Sequence, residues 1–493
     1  MGRLELILVG LIAIIGGQAC SPGNTPKAVS AIELESCRLY GGSGMTSVAA
    51  QCGRLPVAED PSAPEGRQIE LFVARIAALN SRVPRSAFTL LAGGPGQAAS
   101  EVYADYAPLF ARIQRYHDII LIDQRGTGNS ARLDCPFDES DTLDFDAASA
   151  ARQAAECLQQ LEGDPRFYST SVAVKDLDLA RKALGYEQLD IYAASYGTRV
   201  AQHYLRRYPD RVRTMVIDGV VPAELRLGPD IAIDAQIALE KLFARCREDE
   251  TCNDRFPDIE RSFNDLRNQL RAAPVDLMLA APTSGEQISM SFDYTAFAGA
   301  VRLLSYTPDT AALLPLLLDE AANNDNWSPL AAQAQIVMES IADALSEGMH
   351  NAVMCAEDVP YYDIDEQKRT ALRATYLGQL QVESLQAICA IWPTGLMDAD
   401  FHQPVESAVP VLLLSGSADP ITPPRYADIV AQHLSNSRHI VADGHGHGVL
   451  TRSCVAGLIA DFVDSASVRD IDATCVDKQK PAPFFTRFSG PEP

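Results

Sequence analysis

What this chain can fold into is constrained most by a unit that recurs along it: a short, almost unbroken apolar run that ends at glycine or a small polar residue and gives way to helical sequence. The unit reads AFTLLAGGPGQ from 87, HDIILIDQRGTGNS from 117, LDIYAASYGT from 189, RTMVIDGVVP from 213, VPVLLLSGSADP from 409 and SRHIVADGHGHG from 437. Runs of that length without polar interruption are strands buried on both faces, which is the condition inside a parallel sheet covered by helices. Two earlier strands are read at SVAAQCGRLPV and QIELFVARIAAL, parted by the turn-rich AEDPSAPEGR. Between them the units predict a mostly parallel central sheet flanked by helices.

The rhythm stops after Pro222. From 223 to 404 the pattern is mostly helical, in DAQIALEKLFARC, IERSFNDLRNQLRAA, DTAALLPLLLDEAA and PLAAQAQIVMESIADALSEGM, each with an apolar stripe. This predicts a large helical cap inserted after the sixth core strand. The expected organisation is therefore an export signal at 1–19, an N-terminal segment and first strand at 20–68, core at 69–222, cap at 223–404, core again at 405–477 and an irregular tail at 478–493.

The N-terminus supports export. Arg3 precedes an apolar stretch from Leu6 to Ile15, with small residues at Gly17 and Ala19 before Cys20; the stretch is too short to span a bilayer and has the layout of a secretory signal. Two fates stay open for Cys20: lipidation at a lipobox-like junction, giving a membrane-anchored protein, or ordinary cleavage beside it, giving a periplasmic or secreted one. Of the 11 cysteines, setting Cys20 aside leaves pairs that cluster along the chain as Cys37/Cys52, Cys135/Cys157, Cys246/Cys252, Cys355/Cys389 and Cys454/Cys475. Local disulfides formed in an oxidising compartment are expected. No spacing of cysteines and histidines suits a structural metal, so none is expected. A net charge of −24 without a Lys/Arg cluster argues against nucleic acid as a partner. Composition says nothing of oligomeric state.

The chemistry concentrates at strand ends. Ser195 sits between a strand and a helix with Ala194 and Gly197 beside it, the setting of a sharp turn that lifts one hydroxyl clear of the sheet. A base is available in the loop ADGHGHGVL, as His445 or His447, and an acid to orient it in Asp419, after VPVLLLSG. The chain order Ser, Asp, His is that of the α/β-hydrolase fold. Acyl transfer also needs N–H donors for a tetrahedral oxyanion. Tyr196, next to the serine, supplies one; in GGPG, Pro95 has no N–H, so Gly94 is the second, with Gly96 in reserve.

These stretches together resemble the prolyl iminopeptidase and tripeptidyl aminopeptidase family, exported bacterial serine aminopeptidases among them. The family's H-G-G-P-G is AGGPG here, with Ala92 in place of the His; D-Q-R-G-x-G-x-S is intact from Asp123 to Ser130; G-G-S-Y-G-T is AASYGT; and G-x-G-H-G is GHGHG, which puts His447 on the catalytic position. The resemblance implies an enzyme that releases residues or short peptides from peptide N-termini through Ser195, His447 and Asp419 and an acyl-enzyme, without a cofactor. The alternative is an esterase or other small-molecule acyl hydrolase with the same triad. An exopeptidase must bind a free α-amine, and in VMCAEDVPYY the carboxylates Glu357 and Asp358 stand beside a cysteine expected to be disulfide-bonded, a rigid mounting for an ammonium.

Overall fold

The computed structural model describes residues 32–42, 44–81, 85–135, 146–282 and 285–490; the expected export signal at 1–19 and Cys20 lie outside them. Among the described residues eleven strands form in chain order: β1 (Glu35–Tyr40), β2 (Ser47–Ala58), β3 (Gln68–Ile76), β4 (Ser86–Leu91), β5 (Asp118–Ile122), β6 (Gln188–Ala194), β7 (Val212–Asp218), β8 (Val275–Ala280), β9 (Gln287–Phe292), β10 (Val411–Gly416) and β11 (Ser437–Ala442). Nine of them make one sheet in the order β1-β2-β3-β5-β4-β6-β7-β10-β11, while β8 and β9 form a separate hairpin. Pairing is parallel from β5 through β11 and antiparallel among β1, β2, β3 and β5.

The chain has the α/β-hydrolase architecture. Its parallel strands are apolar on both sides for the reason the sequence suggests: Leu189, Ile191 and Ala193 point into one apolar cluster, and Tyr192 points into the cluster on the opposite face with Phe88 and Val216. The helix Tyr196–Arg207 covers the first face through Val200, Ala201, Tyr204 and Leu205, and Val455–Ser465 covers the second through Leu458, Ile459 and Phe462.

Strand β1 is the sheet strand that no apolar run announces. It lies at the open edge, mostly exposed, joined to β2 by pairing and by the Cys37–Cys52 disulfide. Counting it, the insertion expected after the sixth strand follows the seventh. The residues between β7 and β10 are largely helical and carry their own apolar core, from Ala232 and Leu239 to Phe297, Leu317 and Leu330. Two features add to the mostly helical pattern. The β8-β9 hairpin interrupts it, and the helix Glu347–Glu357 contributes Met349, Ala352 and Val353 to the core of the sheet domain instead. Among the described residues the tail after 477 forms no helix or named strand, yet it packs: Phe484 is buried in the insertion's core under the Arg245 guanidinium.

Disulfides join Cys37 to Cys52, Cys135 to Cys157, Cys246 to Cys252, Cys355 to Cys389 and Cys454 to Cys475. Cystines in this number mark a protein exported to an oxidising compartment. Among the described residues no helix is long and apolar enough to cross a membrane.

Candidate active site

Every chemistry-bearing residue named from the sequence in the sheet domain lies at the C-terminal end of a parallel strand, where open α/β sheets bind ligands. Ser195 follows β6 directly. Its φ of 54° and ψ of −126° lie outside the regions open to most side chains, a strain that costs about 1–3 kcal/mol and that the surroundings must hold in place. They do so through hydrogen bonds: Ser195 N–H donates to the Asp218 carbonyl at 2.9 Å, and the Ser195 carbonyl accepts from Thr198 N–H and Oγ1. Glycine at 197 is required, because a Cβ there would stand 2.3 Å from the Leu91 carbonyl oxygen. The glycine loop passes close by; a Cβ on Gly93 would touch Ser195 Cβ at 3.1 Å.

The residues expected as acid and base meet. Asp419 Oδ2 lies 2.9 Å from His447 Nδ1, and the carboxylate also accepts from the N–H groups of Ile421 and Thr422 and from Thr422 Oγ1, each at 2.8 Å. Burial opposes ionisation of Asp419, but the His447 charge and these donors outweigh it and hold its carboxyl below the usual range. For His447 burial works against the charged form, yet the Asp419 carboxylate prevails and raises the imidazole pKa. With Nδ1 turned to the Asp419 carboxylate, Nε2 is the imidazole nitrogen left available. Among the described residues it makes no hydrogen bond to Ser195, a contact that commonly tightens only when substrate is bound. His445 is a different residue in kind: among the described residues its ring makes no hydrogen bond to Asp419, and burial and Arg452 push its pKa down to about 4.

Two supports of the base were not legible in the sequence. Asp218, at the end of β7, is fully buried; besides its carbonyl on Ser195, its carboxylate accepts from the N–H groups of Val449 and Leu450 and from Tyr192 Oη. Burial raises its pKa to about 6 despite these donors. Tyr306, in the insertion, accepts His447 N–H on its carbonyl at 2.7 Å and sets its ring edge-to-face against the imidazole at 5.4 Å. A strand-terminal Asp before glycine was the one available signal for the first; nothing pointed to the second.

Tyr196 opens the helix Tyr196–Arg207, where the first N–H groups have no intrahelical acceptor and attract negative charge. Gly94 and Gly96 adopt φ of +104° and +116°, and among the described residues no acceptor binds the Gly94 N–H. Arg125 of the DQRG stretch ties loops together: it pairs with Asp176 and donates to the carbonyls of Glu59 and Phe167.

Glu357 and Asp358 depart from the expected open ammonium mount. Both are fully buried. Glu357 caps the helix Thr170–Ala183 from outside, accepting Thr170 N–H at 2.6 Å and Thr170 Oγ1 at 2.9 Å, and burial raises its pKa to about 8. Asp358 takes both its oxygens to Arg199 at 2.9 Å and accepts Leu227 N–H. A cation of the protein occupies the place expected for the substrate's. Both contacts bind the insertion to the sheet domain.

The chain is similar to known hydrolases. The family model described as alpha/beta hydrolase fold matches residues 87–294, and that described as TAP-like protein matches 374–475. The chain is 25% identical over 518 residues to the serine protease Hip1 of Mycobacterium tuberculosis, covering 96% of each chain. It is 25% identical to the tripeptidyl aminopeptidase of Streptomyces lividans, covering 88% of this chain and 85% of that one, and 26% identical to the carboxylesterase B of Mycobacterium tuberculosis, covering 87% and 86%.

Proposed function

The chain belongs to the TAP-like α/β-hydrolases, and from that premise we propose that it is a serine aminopeptidase in which Ser195 attacks the scissile carbonyl, His447 takes the proton and Asp419 orients the imidazole. The observation that carries this reading is the 2.9 Å contact of His447 Nδ1 with Asp419, set beside a serine in a strained strand-to-helix turn. In the proposed sequence Ser195 Oγ forms the acyl bond, the N–H groups of Gly94 and Tyr196 hold the oxyanion, and His447 returns its proton to the leaving amine. Water, deprotonated by the same imidazole, then releases the acyl group.

Peptide substrates accord with the names of the Streptomyces and Hip1 relatives; the carboxylesterase relative, at similar identity, favours esters as a second reading. Matched peptides with free and acetylated N-termini, assayed beside p-nitrophenyl esters and with Ser195→Ala as control, decide between them. The aminopeptidase reading expects cleavage only of the free-amine series. Equal rates on the acetylated peptides, or ester turnover alone, reject it. Anchoring through a lipid on Cys20 belongs to the same proposal, and labelling with a radioactive fatty acid, lost in Cys20→Ala, tests it.

A further inference from the structure

We infer that the first turn of the helix Glu347–Glu357 positions the oxyanion loop, with His350 as the side chain that does so; the inference rests on the Gly94 N–H holding the oxyanion as proposed above. A trans peptide unit is planar, with its C=O and N–H pointing opposite ways, so holding a carbonyl oxygen aims the N–H of the next residue. Two such units are held in series, and a third is held on its own. Ser346 N–H donates to the Gly96 carbonyl at 3.0 Å, which aims the Gln97 N–H at the Gly93 carbonyl, 3.3 Å away. The Gly93 carbonyl in turn fixes the direction of the Gly94 N–H. Separately, His350 Nδ1 lies 3.3 Å from the Pro95 carbonyl and donates to it, which fixes the Gly96 N–H.

Close packing leaves the loop no other seat. A Cβ on Gly94 would meet Leu345 Cδ2 at 2.9 Å, and one on Gly96 would meet the Ser346 carbonyl oxygen at 2.8 Å. The segment is itself anchored: Arg132 donates to the Leu345 carbonyl, and Gly348 lies against Leu133, whose carbonyl oxygen would be 2.8 Å from a Cβ there. Burial keeps the His350 imidazole uncharged down to about pH 4, so the neutral tautomer protonated on Nδ1 makes the contact throughout the working range. His350 thus braces the loop from the insertion, and the sequence offers Ala92 where the resembled family has a histidine in the loop itself.

The test uses the full chain with His350→Ala, His350→Asn and His350→Gln, and reads kcat, KM, the rate of labelling by a fluorophosphonate and Tm. An Asn amide can place an N–H where Nδ1 stands; a Gln amide cannot. His350→Ala should lower kcat and the labelling rate together by about 10-fold, less than the 100-fold or more of a donor removed outright, with KM within about two-fold. His350→Asn should restore most of the loss and His350→Gln should not, whatever their common shift in Tm. Wild-type kcat in His350→Ala, or equal loss in the Asn and Gln variants, overturns the inference. If His350→Ala does not fold, the Asn and Gln pair decides it alone. Activity surviving in Ser195→Ala would instead overturn the serine mechanism, so the two failures are distinguishable.

Discussion

The Asp218 carboxylate accepts the Val449 N–H at 2.9 Å, two residues beyond His447, while the Asp218 carbonyl accepts the N–H of Ser195. One strand-terminal residue thus fixes the Ser195 turn and the His447 loop in a single frame. Replacing it with Ala strands three buried donors, the N–H groups of Val449 and Leu450 and the Tyr192 hydroxyl. Asp218→Ala is expected to lose about 3 kcal/mol or more of stability, read from denaturant unfolding. A base displaced by as little as 1 Å is expected to lower kcat about 100-fold.

The rate should fall on the acid side as His447 charges. Because the Asp419 carboxylate raises the imidazole pKa above its ordinary value of 6.5, the acid limb of kcat/KM should lie above 6.5: the neutral base is present above that limb and is lost as pH falls through it. In Asp419→Asn the charge that raises the pKa is gone while burial still lowers it, so the limb of the residual activity should move to lower pH. Residual turnover should be about 10,000-fold reduced, as expected when the imidazole loses its tautomer. A pH–rate profile of both proteins checks the shift.

How much of this was legible follows from what each contact is made of. The parallel strands could be read because burial on both faces forbids polar residues in Ile119–Ile122 or Val411–Leu414. The edge strand β1 could not, since Glu35, Ser36, Arg38 and Tyr40 face solvent and only pairing with β2 makes them a strand. Ser195 and Asp419 drew attention through strand-end position and chain order, whereas His447 was singled out from His445 only by the family resemblance. The grip of the insertion on the site did not, because it is carried largely by backbone groups, the Ser346 N–H and the Tyr306 carbonyl, which any residue type supplies. Glu357 and Asp358 looked free for a ligand because Arg199 and Thr170, their partners, are more than 150 residues away in the chain.

Those two carboxylates should respond differently to neutralisation. The Arg199–Asp358 pair is fully buried and doubly hydrogen-bonded, and removing one charge leaves the other stranded at a cost of about 3–5 kcal/mol. Asp358→Asn should therefore unfold at markedly lower denaturant. Glu357, with its pKa raised to about 8, already holds its proton near neutral pH, so Glu357→Gln keeps an acceptor for Thr170 N–H and should cost less than about 1 kcal/mol. Equal losses in the two variants would contradict these assignments.

Tyr306 allows the contribution of its ring to be separated from that of its backbone. Its carbonyl holds His447 N–H whatever the side chain, its hydroxyl meets Arg302, and its ring alone packs on the imidazole. An edge-to-face contact of this kind contributes about 0.5–1.5 kcal/mol beyond the area it buries. Tyr306→Phe should accordingly keep kcat within about two-fold, because it discards only the hydroxyl. Tyr306→Ala frees the face of the base and should lower kcat by about 10-fold, since the imidazole can then rotate about the Asp419 contact out of line with Ser195. The measurement is kcat and KM for both variants on one substrate. A large loss in Tyr306→Phe would move the role from the ring to the Arg302 hydrogen bond, and no loss in Tyr306→Ala would leave the backbone contact as the sole support of His447 from the insertion.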